Sequence, residues 1–195
     1  MKNPMQSNNL YQQFNQKILG FLSRFVNETE AQDLTQEVFI KVDANLDKFK
    51  GKSSTKTWIY KIATNTMKDY LKSKSYQSSK RHIPVSEMDL ERYGDLVRPG
   101  TLLEDKLDTN EMNKCIKEFI YRIPVNYSSV LVLCDLEELN TKEVSTILEM
   151  SIGAVKVRLH RARARLKEEL ESGCMISTTC DNKILCERKA VIDQL

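Results

Sequence analysis

Six cations fall between positions 154 and 167 with no acid among them: Lys156, Arg158, Arg161, Arg163, Arg165 and Lys167. An apolar row, Val155, Leu159, Ala162 and Leu166, runs through the same stretch at steps of four, three and four. On a helix that spacing sends one stripe into a core and leaves the cations outside. Guanidinium forks grip phosphate oxygens and read guanine edges two-pronged, so the chemistry on offer is polyanion binding and duplex readout. Asn140 and Glu143 stand at capping-box spacing before a short helix pattern over 141–148, whose apolar face is Val144, Ile147 and Leu148. The link 149–151 allows only a tight turn, and Ser151 can cap the basic helix. Helix, turn and basic helix is the pattern of a helix-turn-helix. A basic amphipathic helix alone also suits a solvated face or a membrane surface; the capped helix and turn before it favour DNA.

A second segment, residues 49–74, mixes cations, aromatics and a Gly/Ser loop. Lys48, Lys50, Lys52 and Lys56 surround the loop 51–55, which holds Ser53. Trp58, Lys61, Asn65 and Lys68 come next on related turns of one helix pattern. Cations that track phosphates, rings that stack and an amide that reads a base edge are what single-stranded nucleic acid requires. A Ser-rich loop can also pocket an extruded base. The alternative is that Trp58 is core and the lysines are solvating charges.

Around these segments, 195 residues with 41% hydrophobic and 29% charged content describe a globular chain of one or two domains. No apolar run approaches the ~18 residues that span a bilayer, and the first residues lack a signal-peptide apolar core. The expectation is a cytoplasmic protein without membrane insertion. Net charge is only +3, yet it is blocked: +8 over residues 41–81, −5 over 82–111 and +6 over 154–167. Two basic segments flanking an acidic one imply two polyanion-facing surfaces.

The elements that must position these groups read as helices throughout, with strand alternation absent. Leu10, Phe14, Ile18, Phe21, Leu22 and Phe25 form one face; Ala31, Leu34, Val38, Val42 and Leu46 form a second, with Asn27 and Glu30 at capping-box spacing before it. A third helix over about 57–73 buries Trp58, Ile59, Ile62, Ala63, Met67 and Tyr70. The expected fold class is all-α: a helical bundle over 10–75, a flexible acidic linker over 76–109 with a helical turn near 88–93, a second helical domain over 110–171, and a Cys-containing tail over 172–195. Cys115 and Cys134 read as core thiols.

With both basic segments in place, the chain resembles the extracytoplasmic-function (ECF) sigma factors of bacterial RNA polymerase, of the sigma-70 family. AQDLTQEVFIKV (31–42) is similar to the core-polymerase-binding helix, and FKGKSSTKTWIYKIATNTMKDYLK (49–72) to the segment that melts and reads the minus-ten element. IYRIPVNYSSVLVL (120–133) is similar to the entry to sigma region 4, and LNTKEVSTILEMSIGAVKVRLHRARARL (139–166) to the minus-thirty-five reader. The resemblance covers about 10–170. It implies that Asp33, Gln36, Glu37 and Phe39 dock on the polymerase clamp, and that region 4 meets the flap. It implies that Lys52, Ser53, Lys56, Trp58, Lys61, Asn65 and Lys68 hold the melted strand. It implies that Ser151, Ala154, Lys156, Val157, Arg158, His160 and Arg161 face the minus-thirty-five groove or its phosphates, while Arg158 and Arg163 can instead clamp phosphate or pair with acids of the bundle. The acidic linker would thread a basic polymerase channel, and an anti-sigma factor is a further potential partner. Ala154, Val157, Glu138 and Cys134 depart from the family's common Thr, Ser, Gly and basic residue.

The implied function is promoter-specific initiation without catalysis: no Walker loop, metal-hydrolase signature or nucleophile-base set is present, and no cofactor is required. The rival is a stand-alone helix-turn-helix regulator that needs no polymerase. In the tail, Cys174, Cys180 and Cys186 are six apart. They fit either a thiolate metal or redox site or a tail with incidental thiols.

Overall fold

The computed structural model describes residues 4–79, 110–178 and 184–188. Three helices build the N-terminal domain. Helix α1 (Pro4–Leu22) turns its Phe14, Ile18, Phe21 and Leu22 inward, and Phe25 and Val26 continue that face into the turn beyond it. Helix α2 (Glu28–Asn45) begins at a complete capping box: Asn27 Oδ1 accepts the Glu30 amide at 2.9 Å and Glu30 Oε2 accepts the Asn27 amide at 3.3 Å. These bonds satisfy amides that a helix start otherwise leaves without partners. A single 3-10 turn (Leu46–Lys48) leads to Gly51, whose φ of +68° lies where side chains are disfavoured. Helix α3 (Thr55–Ser79) is longer at both ends than the apolar pattern suggests. Its start lies before Thr57 because Ser54 Oγ accepts the Thr57 amide at 3.1 Å, a cap the periodicity does not show.

The C-terminal domain starts with α4 (Asn110–Arg122), stopped by Pro124, which opens α5 (Val125–Leu131). The chain then widens into one π-helical turn (Val132–Leu136), closed by Glu137 N–H on the Val132 carbonyl and Leu139 N–H on the Leu133 carbonyl. Glu138 comes next at a φ of 54°. Helix α6 (Thr141–Leu148) repeats the capping box with Asn140 and Glu143. Glu149, left-handed at a φ of 55°, makes the turn into α7 (Ile152–Gly173), and Ser151 Oγ caps α7 on the Ala154 amide at 3.1 Å. At the far end a Cβ on Gly173 would stand 2.6 Å from the buried Phe119 ring, so a side chain there would have to displace that ring where α7 crosses α4.

One expectation is corrected. The tail is not free of strands: β1 (Cys174–Thr178) and β2 (Ile184–Arg188) pair antiparallel, with Ile176 opposite Cys186. Ile176, Thr178 and Ile184 are β-branched, but each run is five residues long, too short for alternation to stand out from a helical background. The two domains also pack on one another. Helix α6 packs on α3, and one continuous cluster of buried side chains runs from Phe14 and Ile18 to Val144, Ile147 and Val155. The expected linker turn near 88–93 lies outside the described residues. No helix among the described residues is long and apolar enough to cross a membrane.

Candidate nucleic-acid interface

The basic helix α7 is anchored by its apolar row. Val155, Leu159 and Ala162 are buried and Leu166 half-buried. The opposite side carries exposed Ser151, Ala154, Lys156, Val157, His160 and Arg161, with Arg158 half-buried. The first turns of α7 therefore present a hydroxyl, a methyl, two apolar side chains and several cations, the mixture that base edges and phosphates call for. Ile152, 42% exposed, and Val157, 54% exposed, join this face; Ile152 stands three residues before Val155 and continues the spacing of the apolar row, so periodicity would assign it to the core rather than to this surface. Three of the six cations have other partners; Lys167 pairs with Glu171 at 3.6 Å along its own helix. Arg163 forks onto Asp135 through Nε at 2.9 Å and Nη2 at 2.6 Å, and Arg165 lies 4.2 Å over the Tyr127 ring. The Asp135 bond raises the Arg163 pKa. Arg163 thus takes the bundle-pairing alternative.

On the N-terminal domain, Lys52 and Asn65 are exposed, and Ser53, Lys56, Trp58, Lys61 and Lys68 are half-buried. Trp58 stacks on Phe49, ring centroids 4.7 Å apart, and is half-buried against the core rather than sealed within it. Burial lowers the Lys68 pKa, and the Lys72 and Arg158 charges add to the effect. Arg158 belongs to α7, so the two basic segments approach one another. Tyr60, which in the sequence stands among the cations and rings of the strand-binding segment, is fully buried. Its ring packs edge-on to Phe21 and its hydroxyl donates to Glu137 Oε2. Burial and the Glu137 carboxylate push its pKa far up, so the hydroxyl stays a donor.

On α2, Asp33, Gln36 and Glu37 are exposed in a row and Phe39 is half-buried, edge-on to Tyr11 at 4.9 Å. Ile40, 68% exposed, extends this surface; a single exposed apolar residue leaves no periodic mark in a sequence.

The cysteines are only partly accounted for. Cys174 is buried at the end of α7 and Cys134 is half-buried against the core. Burial and the Asp135 charge raise the Cys134 pKa, which favours a structural thiol over a reactive one. Cys180 lies outside the described residues, as does Cys115's side chain. Cys186 is placed only by its register opposite Ile176. Among the described residues no group of three or more His, Cys, Asp or Glu could hold a metal.

Comparison with known proteins decides the family. Residues 10–76 match the model for Sigma-70 region 2, and residues 113–166 match that for Sigma-70, region 4. The ECF RNA polymerase sigma factor SigW of Bacillus subtilis is 34% identical over 144 residues, 74% of this chain and 77% of that protein. The chain belongs to the ECF sigma factors. As a member it directs promoter-specific transcription initiation with RNA polymerase. The ECF sigma-E factor of Haemophilus influenzae is 27% identical over 84% of this sigma factor and 87% of its own length. Among solved structures, the sigma factor RpoE of Bartonella quintana, held with the anti-sigma factor NepR, shares the fold at a TM-score of 0.64 and 20% identity, covering 84% of this chain and 96% of that one. CnrH with the cytosolic domain of CnrY shares it at 0.61 and 19%, covering 87% and 90%.

Proposed function

We propose a division of labour among these residues. Region 2 docks on core polymerase through the α2 surface of Asp33, Gln36, Glu37 and Phe39, with Ile40 as apolar anchor. The loop 51–55 and α3 hold the melted minus-ten strand, with Trp58 as stacking platform, Asn65 as base reader, and Lys52, Lys56, Lys61 and Lys68 on phosphates. Region 4 reads the minus-thirty-five element through the first turns of α7: Arg161, Lys156 and Arg158 supply cations, His160 a polar contact, and Val157 an apolar face for a thymine methyl. Core polymerase and promoter DNA are the partners, and an anti-sigma factor is a further one, as for the relatives solved with theirs. The work is binding and positioning, without catalysis of its own, and the place is the cytoplasm.

The observation that supports this reading is that one chain carries two different basic surfaces. A capped helix-turn-helix exposes Lys156, Val157, His160 and Arg161. A Gly-Ser loop beside a Trp58–Phe49 stack is lined with lysines. A stand-alone regulator needs only the first. The test is in vitro transcription with purified bacterial core polymerase on a genomic promoter library, with and without the protein. Initiation that depends on the protein, at sites sharing two spaced elements, supports the reading. Tight duplex binding by the protein alone with no initiation favours the regulator. The tail remains a candidate metal or redox element; identical transcription by a triple Cys174→Ser, Cys180→Ser, Cys186→Ser variant with and without metals or oxidants would remove it.

A further inference from the structure

Two of the cations assigned to the minus-ten strand, Lys56 and Lys61, are engaged by region 4 of the same chain, one through a backbone carbonyl and one through a carboxylate. Glu137, at the end of the π-helical turn, is the centre. Its Oε1 takes Arg24 Nη1 at 3.0 Å, its Oε2 takes the Tyr60 hydroxyl, and its backbone carbonyl takes Lys56 Nζ at 2.6 Å. The Glu137 side chain is 12% exposed and Arg24's is 28%, so this knot is largely shielded from water. Around it, Glu143 Oε1 accepts the Thr57 hydroxyl at 3.1 Å while its other oxygen closes the α6 capping box. At the rim Glu149 pairs with Lys61 at 2.8 Å.

Each acid lies on the helix-turn-helix or its entry, and each partner on α3 or the turn after α1. Lys56 and Lys61 are two of the groups assigned to phosphates of the melted strand. In the closed chain one is held by the Glu137 carbonyl and the other by the Glu149 carboxylate. The Glu137 carboxylate accepts from a guanidinium and a phenol and the Glu149 carboxylate from an ammonium, as phosphate oxygens do in the same place. The contact also brings like charges together: Arg158 of α7 is near enough to Lys68 to depress its pKa. The closed form therefore holds attraction and repulsion side by side, as befits a contact that opens.

We propose that region 4 carries an internal stand-in for DNA, with Glu137 at its centre and Glu149 at its rim, that clasps the strand-binding face of region 2 and keeps the free protein closed. The proposal rests on the minus-ten assignment made under the proposed function. Opening the clasp frees Lys56, Lys61, Arg24 and the Thr57 edge together, so strand binding and domain separation are one event. A ligand that needs the open form has its apparent affinity reduced by the open fraction; a minor state of ~10% lowers it about tenfold.

The test compares the full chain with Glu137→Gln, Glu149→Gln and the double variant. The readouts are small-angle X-ray scattering for compactness and fluorescence anisotropy with a short labelled single strand of random sequence. Glu138→Gln, an exposed acid in the same loop, controls for the loss of one negative charge. The expected result is a larger radius of gyration and roughly tenfold tighter strand binding for the double variant. Glu149→Gln, which alters a surface residue and cannot unfold the core, should move both readouts part of the way. A double variant as compact as the wild type, or one that binds no better than Glu138→Gln, overturns the clasp. Neither readout uses polymerase, so failure here leaves the promoter reading standing, and a chain inactive in transcription can still show the clasp.

Discussion

At the scale of single residues, charge type alone does not assign a role; what each cation already touches does. Arg161 and Arg163 are two positions apart on one basic helix, yet Arg161 is exposed and Arg163 is forked onto Asp135. We predict that Arg161→Ala weakens binding of promoter duplex by about 1–3 kcal/mol, with altered base preference at one position, if it reads a base edge. Arg163→Ala should leave base preference unchanged and cost about 0.2–1 kcal/mol of stability, because its ion pair is exposed. Binding to a randomised minus-thirty-five library separates the two. Glu138 offers a prediction of opposite sign. It holds a left-handed φ of 54° where the family commonly has glycine, and a side chain in that region costs about 1–2 kcal/mol. Glu138→Gly should raise stability by about 1 kcal/mol, less what the freer unfolded chain takes back. A denaturant midpoint that falls would show that the glutamate makes a contact outweighing its backbone strain. The exposed groove residues are legible in the sequence because helical spacing separates them from the buried row. Which acid Arg163 takes and the burial of Tyr60 are not, because their partners, Asp135 and Glu137, lie 28 and 77 residues away in the chain.

At the scale of elements, legibility depends on how local the cause is. Both capping boxes and the Ser151 cap form where Asn-x-x-Glu and a serine before an apolar run place them, since a cap is settled within four residues. The π-helical turn after Leu131 and the hairpin after Gly173 depend on tertiary contacts and short strand pairing, which leave no period to read. The α2 cap carries a pH signature. Burial pushes the Glu30 carboxyl up, but hydrogen bonds from Lys74 and Tyr70, together with the Lys74 charge, outweigh burial and hold its pKa below the ordinary 4.5. A carboxyl depressed in the folded state stabilises above its unfolded pKa, and that contribution disappears as pH falls through the folded value. Glu30→Gln should therefore be less stable than the wild type at neutral pH, by roughly 1 kcal/mol including the weakened cap. The gap should narrow below about pH 4.5 as the wild-type carboxyl protonates. Paired chemical denaturation at neutral and acid pH checks this, and a gap independent of pH would mean that the Lys74 contact at 2.6 Å carries no net charge interaction.

At the scale of the whole molecule, charge blocks predict two polyanion surfaces but not that the chain covers one of them itself. A formal count treats Glu137, Glu143 and Glu149 as ordinary surface acids of a nearly neutral protein, because net charge carries no information about which face meets which. The structure joins the two domains through α6 on α3, with buried side chains continuous across the junction and Glu137 sealed within it. Domains coupled in this way should melt together. We predict one calorimetric unfolding transition for the wild type, with calorimetric and van't Hoff enthalpies equal. Glu137→Gln leaves the Arg24 guanidinium and the buried Tyr60 hydroxyl less well partnered, a loss of about 1–3 kcal/mol that falls on the junction rather than on either core. The expected consequence is two transitions, the helix-turn-helix and the three-helix bundle separating, at stabilities close to those each has alone. Two transitions already present in the wild type would mean that the shared cluster does not couple the domains. In that case the acids at the junction would close the molecule only transiently, and the cations of α3 would be open to a strand without any prior step.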